Sequence, residues 1–106
     1  MPKGYVIFTE AIKDPAGMAE YARAAQAAMR GGGLRPLAVD TAPSVLEGEW
    51  HGNQTVILEF DSVEAARTWY ESPEYQHAAK LRQAAADTNV VIVAGFEPPK
   101  REASQP

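Results

Sequence analysis

The chain contains no cysteine. Disulfides, thiolate nucleophiles and sulfur-ligated zinc are therefore excluded. Histidine is nearly absent too, at 2 residues in 106, which argues against a metal site built on imidazole donors. No stretch approaches the roughly 20 apolar residues that a membrane span requires, and the N-terminal segment lacks the apolar core of a signal peptide. Basic charge is in short supply as well. The formal net charge is −4, whereas phosphate-directed nucleic-acid binding needs a concentrated basic surface. These absences predict a cytoplasmic protein with no membrane, nucleic-acid or metal partner, and no motif in it implies a cofactor.

What remains is ordinary globular material, 45% hydrophobic and 23% charged, enough for one core and not for two. "GYVIFTEAI" (4–12) is rich in β-branched and aromatic residues and reads as a strand. Asp14 before Pro15 opens a helix, and Met18, Tyr21, Ala22, Ala25 and Met29 follow at helical spacing. Gly31, Gly32 and Gly33 stop it. They trail a helix instead of leading into one, so a phosphate cradle is not expected there. "LRPLAVD" (34–40) reads as a second strand, with Pro36 favouring a sheet edge. It breaks near Pro43 and is expected to resume as "SVLEGEW". A turn at "HGNQ" leads into "TVILEF", a third strand. Asp61 and Ser62 compete to cap the next helix, with Glu64 spaced from Asp61 as in a capping box. Ser72-Pro73 interrupts that helix and restarts it. "NVVIVAGF" is the last strand, and 98–106 is expected to be a mobile tail after a single domain of residues 1–97.

The order βαββαβ predicts an α+β, ferredoxin-like domain: a four-stranded antiparallel sheet with two helices on one face. Yet "YVIF", "VIL" and "VVIV" are apolar at both parities, the mark of strands covered on both sides. The uncovered face would exceed or match the largest apolar patch of a typical monomer, roughly 300–600 Å². Two sheets packed face to face in a homodimer would cover it.

"VLEGEW", "LEFDSVEAARTWYESPEYQ" and "LRQAAAD" carry a resemblance to the family called domain of unknown function 1330, within the dimeric α/β-barrel group. The resemblance covers "GYVIF" to "VIVAGF" and implies two four-stranded sheets paired in a barrel, but no established reaction. The family pattern falls on Arg35, Glu47-Gly48, Glu59-Phe60, Trp69, Ser72-Pro73, Tyr75 and Arg82. Val39 and Ala94 depart from it, standing where a basic and an acidic residue are common.

Tyr75 and Arg82, seven apart, share a helical face, and Glu59 ends the strand that feeds this helical region. Together they predict a helix–sheet cleft, with a structural ion pair as the competing explanation. Trp69 is more simply core than platform. Glu47 fits either a general base or a pairing role. Glu74 and His77 share a helical face, but a di-metal site would need a second such pair. Ser44, Ser62 and Ser72 fall at strand starts and caps, where serine has a structural task. His51 is expected in solvent at a turn. A site in the cleft would draw on Tyr5, Arg35, Glu47, Glu59, Trp69, Tyr75 and Arg82. It would bind a small organic molecule, or act on it by acid–base or cofactor-free chemistry. The alternative is a non-catalytic dimer that binds a ligand or another protein.

Overall fold

Alternation in the first strand sets the layers. In β1 (Gly4–Ile12), Gly4, Val6, Phe8 and Glu10 are buried, while Tyr5, Ile7 and Thr9 are half-buried on the opposite side. The computed structural model describes residues 2–31 and 33–98. After β1 come α1 (Pro15–Arg30), β2 (Arg35–Asp40), β3 (Gln54–Phe60), α2 (Val63–Glu71), α3 (Pro73–Ala85) and β4 (Ala86–Ala94). The strands form one sheet in the order β2-β3-β1-β4, antiparallel at every pairing. Two β-α-β units with their helices over one face make this a ferredoxin-like fold. The segment read as a tail lies, from residue 99 onward, outside the described residues.

The core forms where the even positions of β1 meet the helices. Val6, Phe8, Leu58 and Phe60 from the sheet pack against Ala28, Ala66, Trp69, Tyr75 and Ala79. Small alanines let the helices approach the sheet, and Trp69 and Tyr75 fill the space between them. Trp69 is 5% exposed, and its indole N–H donates to the Ala28 carbonyl at 3.2 Å. On the other face Ile7 stands between Ile57 and Val91 in register. Val91 and Val93 stay 49% and 40% exposed. Both faces are apolar, but the chain's own helices cover one.

Three local expectations change. "SVLEGEW" does not resume as a strand; residues 41–53 form an irregular loop. Pro43 has no N–H to contribute to a ladder, and Gly48 and Gly52 take positive φ values of 74° and 84°, a region hostile to strands. Gly52 also lies directly against the Glu10 carbonyl, where a side chain would collide. The last strand begins at Ala86, not Asn89, because Ala86 swings to φ −150° straight after α3. Ser62, not Asp61, caps α2: its Oγ accepts from Ala65 N at 3.0 Å. That puts Glu64 in the second helical position, out of capping-box register with Asp61. Asp14 precedes α1, but its side chain makes no capping bond. Pro36 does sit on an edge strand, with a bulge between Pro36 and Ala38.

Candidate functional site

The "SPEY" run arranges the aromatic wall. Ser72 ends α2 by donating from Oγ to the Trp69 carbonyl at 2.7 Å, and begins α3 by accepting from Tyr75 N at 3.2 Å. Pro73 at the first helical position supports this restart. The bend lays Trp69 and Tyr75 on each other with ring centroids 4.2 Å apart. Helical side chains lean toward the N-terminus, so Arg82 reaches back two turns and donates from Nε to the Tyr75 hydroxyl at 3.3 Å. Its guanidinium carbon also lies 5.6 Å from the Phe8 ring centroid, a cation–π contact. Across from α1, the Tyr21 hydroxyl lies 2.8 Å from the Tyr75 hydroxyl.

Beneath these rings the sheet turns polar in a single row. Glu10 is the Cα partner of Gln54 on one side and Thr88 on the other. Each stands two positions along its strand from an apolar residue packed in the core, namely Phe8, Val56 and Val90. Gln54 Nε2 donates to Glu10 Oε1 at 2.6 Å. Thr88 Oγ1 is buried without a hydrogen-bond partner, alone in this among the described residues. Glu10 and Arg82 are 1% and 2% exposed, yet no ion pair within 4.0 Å joins them among the described residues. Burial pushes the Glu10 carboxyl above its ordinary range, against the Gln54 hydrogen bond and the Arg82 charge, which favour the carboxylate. Burial also raises both phenols, Tyr21 and Tyr75, so each is a neutral hydroxyl at ordinary pH. The helix side thus buries a carboxyl held by Gln54 and, near enough to influence its charge, a permanent cation bonded to one of two linked phenols.

The sequence-derived candidates divide between places. Tyr75 and Arg82 belong to this interior cluster. Glu59 does not; it points from the opposite face, where Tyr5 donates to its Oε2 at 3.0 Å and Arg35 Nε to its Oε1 at 2.7 Å. The expected Glu59–Tyr75–Arg82 cleft is therefore split by the sheet, because Glu59 has the parity of Ile57, not of Leu58 and Phe60. Arg35 also binds Asp61 Oδ1 at 3.2 Å, and Lys3 approaches the same oxygen at 3.5 Å. Hydrogen bonds from Arg35 first, then Tyr5, hold the Glu59 carboxyl below the usual range, and those from Arg35 and Lys3 do so for Asp61. The bond to Glu59 raises the Tyr5 phenol.

Trp69 is core and also walls a groove of about 740 Å³ between α1 and α2, bordered by Ala28, Ala65, Thr68 and Ser72. Glu47 lines a separate cleft of about 400 Å³ under the 41–53 loop, with Trp50, Thr55 and Ile57. Glu74 and His77 are exposed on α3. His51 is half-buried, its Nε2 2.8 Å from the Asp87 carbonyl, and not simply in solvent. Glu10, Gln54, Thr88 and Tyr21 were not singled out from sequence as site residues. Their signal was polar residues at core parity in β1, β3 and β4, which becomes meaningful once register aligns them.

Solved structures resemble the chain in fold. A protein of unknown function, RPA0582 from Rhodopseudomonas palustris, is 21% identical over 92% of this chain and 85% of its own, with a TM-score of 0.70. A dimeric ferredoxin-like protein of unknown function from Thermobifida fusca is 15% identical over 88% and 91%, with a TM-score of 0.63. SnoaB, a cofactor-independent oxygenase from Streptomyces nogalater, is 16% identical over 94% and 100%, with a TM-score of 0.65. No curated protein matches the sequence. Among the described residues no helix is long and apolar enough to cross a membrane. A family model matches residues 3–96, and the chain belongs to the domain of unknown function family DUF1330.

Proposed function

We propose that the protein is a homodimer, paired through its outer sheet faces, that binds a small polar organic molecule between helices and sheet and acts on it by acid–base chemistry. The carrying observation is the burial of Glu10 and Arg82 in one interior without a direct ion pair. Removing two charges from water is expensive, and a close pair repays part of that cost. Here the pair is not close, so the charges are better explained by a ligand that each of them meets. The neutral hydroxyls of Tyr21, Tyr75 and Thr88 supply polar contacts around them. Gln54, Thr88 and Tyr21 are half-buried and give the cluster its approach to the surface. The SnoaB likeness supports small-molecule chemistry on this fold, although a shared fold does not carry a shared reaction. Pairing is supported by the half-exposed apolar outer face and by the dimeric relative from Thermobifida fusca.

One variant tests the site. The native protein is incubated with a metabolite extract, and retained molecules are identified by mass spectrometry; Arg82→Met is then treated alike. Retention by the native protein, lost in a variant that melts within a few degrees of it, supports the site. A variant that melts far lower, with no molecule retained by either protein, makes Arg82 a structural tie instead.

A further inference from the structure

We infer that Glu10 transfers a proton on a small carbonyl compound whose oxygen is held by the Tyr21 hydroxyl, with Thr88 as a second, neutral contact. This rests on the ligand-binding reading above and gives it a reaction class. Three observations carry it.

The first is the pair of linked phenols backed by Arg82. Arginine can only donate. Arg82 Nε donates into the Tyr75 oxygen, and the Tyr75 and Tyr21 hydroxyls lie 2.8 Å apart, with either able to donate to the other. A substrate oxygen that accepts from Tyr21 selects the arrangement in which Tyr75 donates to Tyr21. A neutral phenol polarised through a second phenol by a fixed cation is suited to an oxygen that gains negative charge during reaction. The second is the acid. Gln54 holds Glu10 Oε1, which orients the carboxylate and leaves Oε2 to take a proton. Burial has moved this carboxyl upward, toward the range in which a base works near neutral pH. The third is Thr88. An orphaned buried hydroxyl is rare in a folded protein, and this one stands opposite Glu10 in the strand register.

The step balances without a further reagent. Glu10 removes a proton from the carbon beside the carbonyl, and that bonding pair forms the new carbon–carbon double bond. The carbonyl π pair moves to oxygen, where Tyr21 donates to the enolate. Glu10 then returns its proton to carbon, at the same position or one conjugated with it, and the carbonyl re-forms. The net result is exchange or isomerisation, with no oxidation.

The test uses the full chain and two probes. In D2O, α-proton exchange into pyruvate, phenylpyruvate, acetoacetate and cyclohexenone is followed by NMR. Binding of p-nitrophenolate, a stand-in for the enolate oxygen, is followed by its visible absorbance. The native protein should speed exchange of at least one carbonyl, and Glu10→Gln should lose that by roughly 100-fold or more. Glu10→Gln should nonetheless bind p-nitrophenolate more tightly, since it removes a negative charge facing the anion. A purely structural glutamate would not produce that gain. Tyr21→Phe should weaken phenolate binding by about 10-fold or more, and Thr88→Val should weaken it less. Undiminished exchange in Glu10→Gln overturns the inference. Phenolate binding with no exchange of any carbonyl overturns it too, while leaving the ligand site standing. Neither binding nor exchange, with nothing retained from the extract, removes both.

Discussion

The two faces of the sheet are built from the same strands and solve opposite problems. On the helix side, charge is buried: Glu10 and Arg82 have neutral hydrogen-bond partners and no close counter-ion. On the outer side charge is open and well paired, with Arg35 joined to Glu59 and Asp61, and Lys3 to Asp61. If pairing alone marked importance, the outer ladder would look like the site. Energetics reverses that ranking. Exposed pairs contribute little because water competes for them, whereas buried charge persists only against a real cost. The apolar part of the outer face, around Ile7, Ile57 and Val91, fits an interface better than a reaction chamber.

The outer face is most sensitive at Ile7. Ile7→Asp places an unpaired charge at the centre of the outer face, and the expected cost in the proposed dimer is on the order of 3–5 kcal/mol. Light scattering at micromolar concentration should show monomer or unfolded chain; an intact dimer would move the interface elsewhere. On the inner face, Trp69→Ala empties the stack over Tyr75 and should cost about 3–5 kcal/mol, read as a lower urea midpoint. Thr88→Val removes an orphaned hydroxyl at nearly constant shape and should stabilise the ligand-free protein by about 1 kcal/mol. A loss of stability would mean that Thr88 has a partner in solution.

Titration sharpens the contrast because the signs differ. Glu10 has a raised carboxyl in the folded state, so the folded protein holds this proton more tightly than the unfolded chain. Stability from this group is full below the ordinary glutamate range and is lost as pH rises through the raised value. Glu10→Gln should therefore gain stability over the native protein as pH increases toward neutral. Glu59 and Asp61 are lowered, so their contribution is present above the ordinary carboxylate range and lost as pH falls through the lowered values. Arg35→Gln should show the smallest effect of all, a slight drop in melting temperature that disappears at high salt. A large, salt-independent drop would show that the ladder is covered by a partner.

Much of the architecture was readable because it depends on neighbours in sequence. Ser72-Pro73 capped and restarted a helix as local chemistry requires, and Pro36 went to an edge because it lacks an N–H. The seven-residue spacing of Tyr75 and Arg82 survived as a contact for the same reason. Glu59 was harder. Placing it with Arg82 required knowing which face of β3 meets the helices, and both parities of "VIL" are apolar. Residues 44–50 read as a strand because valine, leucine and tryptophan there suggest pairing, while Gly48 at positive φ interrupts any such ladder.

Element order, the helix starts set by caps and prolines, and the apolar character of both sheet faces are written locally along the chain. These follow from short-range sterics, hydrogen bonding and periodicity. That Gln54, Glu10 and Thr88 form one row across the sheet is a product of the folded chain. That row joins positions far apart in the chain, and strand register, which long-range packing chooses, is what brings them to one level.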